Sequence, residues 1–277
     1  MRPSDLAAAM RLKSAENWNQ TEKDWKLFLQ QAPEWCLVAE YNHRLIGTVT
    51  AINYSDERAW IGMMLVDKAH RRKGVSMLLL KNLLERLKGC GIVGLDATPA
   101  GNSVYKKLGF EEDCHLVRMA TEKVKTAGEV LYRKEVSPMN PDNISEICQL
   151  DQQVMQFSRT PFLKSLMDHY CGNSFVLLNE KQITGYAFVR SGSHHFHIGP
   201  VVASDEAGAR ALIETVAGKL KGERLLIDVY GQYGNLISWL ENSGFSIHRP
   251  FIRMYLRGRE RGGNRGRQFA ICGPEFG

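Results

Sequence analysis

Residues 63–76 read MMLVDKAHRRKGVS, and a helix-period run follows them with an apolar face formed by Met77, Leu80, Leu84 and Leu87. The apolar start predicts a strand, the basic segment a turn, and the three- and four-residue spacing an amphipathic helix. The unpaired N–H groups and positive dipole of a helix start attract anions, and Gly74 lets the main chain approach closely. The stretch favours a phosphate site, with a solvated basic turn that caps a surface helix as the alternative.

A second pattern follows further along the chain. Residues 92–98 are mostly apolar and predict a strand, and residues 102–110 read NSVYKKLGF. Gly109 stands where a glycine in the left-handed conformation would end a short helix. The chain therefore predicts a strand, a basic glycine-containing turn, a helix, a strand and a second helix, in that order.

Together the two patterns resemble the GCN5-related N-acetyltransferase (GNAT) superfamily. Members carry Arg/Gln-x-x-Gly-x-Gly/Ala after their fourth strand, and later a helix that bears Asn and Tyr and ends in Gly-Phe. The likeness covers nearly all of the first half of the chain. Ser76 replaces the usual Gly or Ala, and its small side chain would still let a pyrophosphate approach.

The resemblance implies a role for each matching residue. Main-chain groups at Leu65 and Val66 would pair with the pantetheine arm of acetyl-CoA. Asn102 would contact the cofactor, and Tyr105 would lie near its sulfur as the acid that protonates the departing thiolate. An ordinary packing role is the alternative for Tyr105. The pyrophosphate would be held by Arg71, Arg72, Lys73, Gly74, Val75 and Ser76.

The general base of the family has no counterpart at the matching position of this chain. Histone-type members place a glutamate eleven residues before the first loop position, and this chain has Trp60 there. A water chain or a carboxylate, Glu22, Asp24 or Asp96, could take the proton from the amine. The residues alone do not rank these alternatives.

The chain repeats itself. A strand–turn–strand pattern at 38–47 recurs at 176–185, and 135 residues separate both Gly109 from Gly244 and Arg118 from Arg253. An ordered repeat of this kind indicates two copies of one α/β unit. We predict a mixed-sheet α/β fold with two tandem GNAT-like domains, residues 1–128 and 129–277, joined near Thr121 to Tyr132.

The second copy keeps the pattern and loses the phosphate loop. Asp205 and Glu206 stand where a phosphate would need positive charge, and Leu240 replaces the tyrosine. Tandem members of the superfamily share the Trp-Asn-Gln-Thr loop, Asp-Ala-Thr-Pro, and an ending Gly-Pro-Glu-x-Gly. The resemblance implies that the degenerate copy supports the fold and walls the acceptor cleft.

The resemblance implies that the acceptor site lies in the loop after the first helical segment, which spans residues 5–15. This loop offers Trp18, Asn19, Gln20 and Thr21, an aromatic ring beside two amides, which suits a small polar ligand. A packed loop is an equal alternative, and Thr21 followed by Asp24 also matches a helix N-cap.

The amino-acid composition narrows the class of protein to which the chain can belong. The 277 residues are 44% apolar and 24% charged, with a net charge of +6, which fits a folded protein and an anionic ligand. The six cysteines are scattered, so we expect reduced thiols rather than a disulfide framework. Among His194, His195 and His197, the last two residues share one face of a predicted strand, but no nearby cysteine or third ligand is evident, and we predict no metal. We find no membrane span or export signal and expect a cytoplasmic chain.

The resemblance implies an N-acetyltransferase that transfers acetyl from acetyl-CoA to a primary amine, and we expect that amine to belong to a small metabolite or amino acid derivative. The alternative is a non-catalytic protein that senses acetyl-CoA or contacts nucleic acid. The Arg/Gly-rich stretch at 257–267 supports that alternative, although a loop leading to a docked C-terminal strand is favoured over nucleic-acid binding.

Overall fold

The computed structural model describes residues 1–55, 58–123, 135–258 and 262–277. The first copy contains α1 (Leu6–Ala15), α2 (Glu22–Gln31), β1 (Leu37–Tyr41), β2 (Arg44–Ser55), β3 (Arg58–Val66), α3 (Val75–Arg86), β4 (Ile92–Ala97), α4 (Pro99–Lys106) and β5 (Glu111–Thr121). The second copy contains β6 (Val136–Pro138), α5 (Ile144–Met155), α6 (Thr160–Tyr170), β7 (Phe175–Asn179), β8 (Gln182–Ser191), β9 (Phe196–Val202), α7 (Glu206–Lys219), β10 (Leu225–Tyr230), α8 (Gly234–Asn242) and β11 (Ser246–Leu256). Residues 262–277 form the C-terminal tail, which includes β12 (Gln268–Ala270). The predicted boundary at 128/129 lies outside the described residues.

The two copies repeat the same local structures, as the sequence predicts. Asn42 and His43 join β1 to β2, Glu180 and Lys181 join β7 to β8, and all four have positive φ, as tight two-residue hairpin turns require. Gly109 and Gly244, at φ +87° and +95°, follow α4 and α8. The second copy has an additional strand, β6, ahead of its helices, and the first copy has no counterpart of β6 among the described residues. The basic turn of the first copy therefore follows the third strand of the chain, whereas the family resemblance places it after a fourth strand.

The strands of the described residues form one twelve-stranded sheet in which the last strands of the two copies are exchanged. Its order is β1-β2-β3-β4-β11-β5-β10-β12-β9-β8-β7-β6. Strand β11 pairs with β4 of the first copy, and β5 pairs with β10 of the second copy. Each copy therefore completes the sheet of the other.

Helices cover both faces of this sheet. Alternate residues along a strand point to opposite faces, and Ile52 and Trp60 pack with α1, α2, α5 and α6, whereas Ala51 and Ile61 pack with α3. The buried residues of α3 are Leu79, Leu80 and Leu83, while Met77 and Leu84 of the predicted face are half-buried. Leucines occupy 78, 79 and 80 in succession, so periodicity alone does not fix which of them face the sheet.

The C-terminal tail crosses from the second copy to the first. Strand β12 lies between β9 and β10, and Phe276 lies fully buried with its ring centroid 4.9 Å from that of Phe28 and 5.0 Å from that of Phe162. Pro274 accepts a 2.9 Å hydrogen bond from the Trp60 indole. The tail is thus an internal part of the fold.

The described arginines of the Arg/Gly-rich stretch bind other parts of the chain. Arg257 donates to the carbonyl oxygens of Leu87, Lys88 and Cys90 at 2.9 to 3.0 Å, in the turn that follows α3. Arg265 pairs with Asp113. Arg259 and Arg261 lie outside the described residues. In the described part of the chain, no helix has the length and apolar character to cross a membrane.

Candidate active site

A cleft opens where two neighbouring parallel strands separate. Strands β3 and β4 pair only at their beginnings, from Arg58 with Ile92 to Trp60 with Gly94. Beyond that point β3 keeps its partner on the other side, with Gly47 opposite Val66. Residues 61–66 therefore present one strand edge to a cleft of about 510 Å³.

A bulge in β3 lies beside the start of this separation. The register with β2 shifts between Thr48 and Thr50, and Met63 adopts φ +49°, which is unusual for a residue with a side chain. The buried Thr48 hydroxyl donates a 2.8 Å hydrogen bond to the Met63 carbonyl and holds this geometry. Bulges bend strands and are common beside active sites. Neither Thr48 nor Met63 was predicted from the sequence as part of the site.

The basic turn closes one end of the cleft. Gly74, at φ +83°, precedes α3. Among the described residues no side chain caps that helix, and a Cβ at Gly74 would meet no atom within 4 Å. Arg71 pairs with Glu16 at 2.5 Å, and Arg72 and Lys73 are exposed. The helix N–H groups are thus open to an anion in a positively charged turn. Lys73 is not part of the cleft wall, which does include Leu65, Val66, Arg71, Arg72, Gly74, Val75 and Ser76.

Tyr105 lies on the cleft wall, on the same side as α3. Its ring packs edge-on against Phe110 at 5.9 Å between centroids, and its hydroxyl has no hydrogen-bond partner among the described residues. Burial raises the pKa of Tyr105 to about 12, so the phenol keeps its proton at neutral pH. Asn102 of the same helix is absent from the cleft wall, and its amide donates to Glu112 at 2.6 Å.

The structure separates the four residues of the predicted acceptor loop. Trp18 and Gln20 line the cleft. Asn19 instead joins the copies, accepting hydrogen bonds from the backbone of His194 and His195 at 3.0 and 2.9 Å. Thr21 caps α2, and its backbone N–H donates to Asp24 at 2.7 Å, as the N-cap alternative predicts.

Glu275 of the tail also lies on the cleft wall, although no role was predicted for it from the sequence. Its carboxylate accepts hydrogen bonds of 2.7 Å from Gln20 and 2.7 Å from Arg190. Burial alone would raise the pKa of Glu275, but Arg190 and His197 outweigh burial and hold it below its ordinary value. The only sequence signal was the ending Gly-Pro-Glu-x-Gly.

The three carboxylates considered as general bases occupy different places. Asp96 lines the cleft, accepts two 2.9 Å hydrogen bonds from Arg253, and has its pKa raised by burial. Asp24 borders a small adjoining pocket and pairs with Arg190. Glu22 is exposed and pairs with Lys26. Only Asp96 of these three reaches the cleft.

The corresponding places in the second copy are filled by the chain itself. Strands β9 and β10 also separate, after Ile198 pairs with Ile227, and β12 lies between them. The Asp205 carboxylate accepts a 2.8 Å hydrogen bond from the Gly208 amide at the start of α7, where an anion would otherwise bind. Among the described residues no three His, Cys, Asp or Glu side chains form a metal-binding group.

The sequence and the fold match one class of enzyme. Residues 6–110 match the Acetyltransferase (GNAT) family, and residues 147–270 match an Acetyltransferase (GNAT) domain. Because the two matches together cover more than half of the chain, it belongs to the GNAT superfamily and is an N-acyltransferase. More narrowly, it is a tandem GNAT protein, with two such domains in succession.

Similarities to known proteins support the assignment to the GNAT superfamily. The chain is 26% identical to the holothin acyltransferase of a Pseudoalteromonas species over 267 residues. The aligned region covers 95% of this chain and 88% of that protein. A solved structure from Pyrococcus horikoshii has a TM-score of 0.80 at 21% identity, covering 100% of this chain and 94% of the other. A tandem GNAT protein from the clavulanic acid biosynthesis pathway has a TM-score of 0.62 at 13% identity, covering 93% and 96%. Both structural likenesses show the fold.

Proposed function

We propose that the chain transfers an acetyl group from acetyl-CoA to a primary amine of a small metabolite or amino acid derivative, by direct attack in a ternary complex. One observation carries this proposal: the strand edge at 61–66, the uncapped start of α3 and Tyr105 all line one cleft. GNAT proteins bind an acyl-coenzyme A, and each of these features fits one part of it. We also propose a cytoplasmic location.

The geometry of the cleft supports most of the residues that we propose to hold acetyl-CoA. Main-chain groups of Leu65 and Val66 lie on the edge that β4 leaves unpaired and can pair with an extended arm. Free N–H groups at Val75 and Ser76, with the charges of Arg71 and Arg72, suit a pyrophosphate. Lys73 and Asn102 would contribute from outside the wall. When bound, acetyl-CoA supplies an acyl group on a thioester.

Tyr105 would hold the proton that the leaving thiolate needs. Its phenol stays protonated at neutral pH, and no described residue competes for its hydroxyl by hydrogen bonding. A positioned acid of this kind contributes about 100- to 10,000-fold to a rate. Trp18 and Gln20 would contact the acceptor, while Asn19 and Thr21 support them by fixing the loop.

Thiol release from acetyl-CoA across a panel of primary amines tests the proposal. Turnover that falls in Tyr105→Phe while coenzyme A still binds supports it. Tight coenzyme A binding without turnover of any amine would contradict acetyl transfer and support a cofactor sensor. The contacts of Arg257 and Arg265 leave these two residues poorly placed for RNA.

A further inference from the structure

Strand β11 of the second copy adds a cationic side chain to the acceptor side of the cleft. Arg249 and Phe251 lie on the cleft wall, in the part of β11 that extends past its pairing with β4, which begins at Ile252. Arg249, Phe251 and Arg253 point to one face, because alternate residues share a face and the register from 249 to 253 is regular.

That face is the one opposite α3. Ile252 and Met254 pack with α3, whereas Phe251 packs with Ile271 of the tail. The basic turn that would hold the pyrophosphate begins α3. Arg249 is thus placed toward the acceptor and the tail, away from the phosphates of acetyl-CoA.

The guanidinium of Arg249 forms no salt bridge or hydrogen bond with the described residues, although Asp228 and Glu275 attract its charge at longer range. Its Nε is buried without a hydrogen bond, and its cross-strand neighbour is a second arginine, Arg118. Arg118 is neutralised by two 2.7 Å hydrogen bonds to Asp228, and both guanidinium groups lie over the ring of Phe251, at 5.0 and 5.3 Å. Burial, with a contribution from Arg118, lowers the pKa of Arg249 to about 10, so it remains a cation at neutral pH.

A half-buried, unpaired guanidinium is costly unless a ligand brings it an anion. Most other arginines of the cleft and the adjoining small pocket form salt bridges: Arg71 with Glu16, Arg118 with Asp228 and Arg190 with Glu275. Arginine binds carboxylates and phosphates through a planar fork of donors, which favours such a ligand at Arg249.

Gln20 and Glu275, on the same cleft wall, have the opposite need: they offer hydrogen-bond acceptors and would be satisfied by a donor rather than by an anion. The side-chain oxygen of Gln20 is buried without a donor, and Glu275 is ionised. Both offer hydrogen-bond acceptors, which an amino group can satisfy with its N–H bonds. One wall therefore presents acceptors for an amine and a cation for an acid.

We propose that the acceptor is an amine that also carries an acidic group, an amino acid or a close relative, and that Arg249 binds the acid while Gln20 and Glu275 bind the amine. This inference rests on the proposed acetyl transfer and specifies its substrate class. Arg249 then determines specificity, and the second copy contributes that residue to the site of the first.

Matched pairs of acceptors test the proposal through thiol release from acetyl-CoA. The twenty amino acids are compared with amines that lack the carboxylate, such as phenylalanine with phenethylamine and leucine with 3-methylbutylamine. O-Phosphoethanolamine tests whether a phosphate replaces the carboxylate. We expect a kcat/KM about 10- to 100-fold higher for the preferred acids, the range of one charged hydrogen-bonded contact.

Substitution at Arg249 gives the second arm. Arg249→Gln is expected to raise KM for the acids and so to bring the kcat/KM ratio between each acid and its matched amine close to one, which is the readout of this arm. Arg249→Lys should retain part of the preference. Arg210→Gln, on α7 and paired with Glu206, is the matched control and should leave the ratio unchanged. An Arg249→Gln enzyme with the wild-type ratio would overturn the proposal.

A binding measurement separates this proposal from the proposed function. Calorimetry follows amino acids and their decarboxylated forms on the full chain with coenzyme A present. If no amine is turned over but acids bind and lose about tenfold or more of their affinity in Arg249→Gln, acid recognition stands and acetyl transfer fails. Equal binding of acids and amines, or no binding of either, overturns acid recognition.

Discussion

Arg118 of β5 and Asp228 of β10 form a buried bidentate pair, with both N–O distances at 2.7 Å, although 110 residues separate them in the chain. Arg253 and Asp96 make the corresponding pair between β11 and β4. Each aspartate thus meets the arginine of the other copy, and the exchange of β5 and β11 is the reason. The acceptor side of the cleft depends on this exchange, because β11 carries Arg249 and Phe251.

Removing the charge of Asp228 should destabilise the fold in a pH-dependent way. Burial alone would raise the pKa of Asp228, but Arg118 and His197 hold it below its ordinary value, so its stabilising effect is present above about pH 4 and is lost as pH falls toward the folded pKa. Asp228→Asn should cost about 3–5 kcal/mol at pH 7, because Arg118 stays buried and unpaired. Urea unfolding from pH 7 to pH 3 should show the gap from wild type narrowing with acid. A gap that widens would contradict the assignment.

Replacing the phenol of Tyr105 should separate binding from chemistry. Tyr105→Phe is expected to lower kcat by about 100-fold or more with unchanged coenzyme A affinity, because it removes the proton and keeps the ring. Stopped-time thiol release and calorimetry measure the two quantities. Tyr41→Phe is the control, since Tyr41 is 59% exposed and absent from the cleft wall. A Tyr105→Phe enzyme with wild-type kcat would remove Tyr105 from the chemistry.

A negative charge at the start of α3 should oppose the pyrophosphate. Gly74→Glu is expected to weaken coenzyme A binding by about tenfold or more, through charge repulsion at the helix N–H groups and strain at φ +83°. Gly89→Glu adds the same charge beyond the other end of α3, where nothing lies within 4 Å of a Cβ. Titration calorimetry should show wild-type affinity for that control. Similar losses in both variants would point to net charge rather than to the turn.

The second copy is expected to bind no coenzyme A of its own. Strand β12 fills the gap between β9 and β10, and Asp205 already caps α7. Calorimetry should give one coenzyme A per chain, and Asp205→Ala should leave its affinity unchanged while costing about 1 kcal/mol of stability from the lost cap. A stoichiometry of two would show that the tail can be displaced.

The aromatic ring of the tail should matter as much as a central core residue. Phe276→Ala is expected to destabilise the chain by about 3–5 kcal/mol, because Phe276 is fully buried against Phe28 and Phe162. Leu78→Ala, at a side chain 60% exposed on α3, should change stability by less than about 0.5 kcal/mol. Denaturant unfolding compares the two. A small loss at Phe276 would mean that the tail packs loosely.

The sequence by itself determined the local structures and the repeat. The hairpin at 42–43, the turn around Gly74 and the glycine after each short helix depend on neighbouring residues, whose backbone preferences and periodicity act over a few positions. The GNAT likeness followed from the same short patterns. These residues include most of the cleft wall on the side of α3.

Only the tertiary structure decided which strands exchange, where the tail ends and which loop residues face the cleft. Gln20 and Asn19 are adjacent and both are amides, yet one meets Glu275 and the other meets the backbone of 194–195. Glu275 and Arg249 reach the site from far along the chain, and no local preference encodes that meeting. Such contacts form because burial selects one packing of the whole chain, in which side chains distant in sequence must satisfy one another's hydrogen bonds and charges.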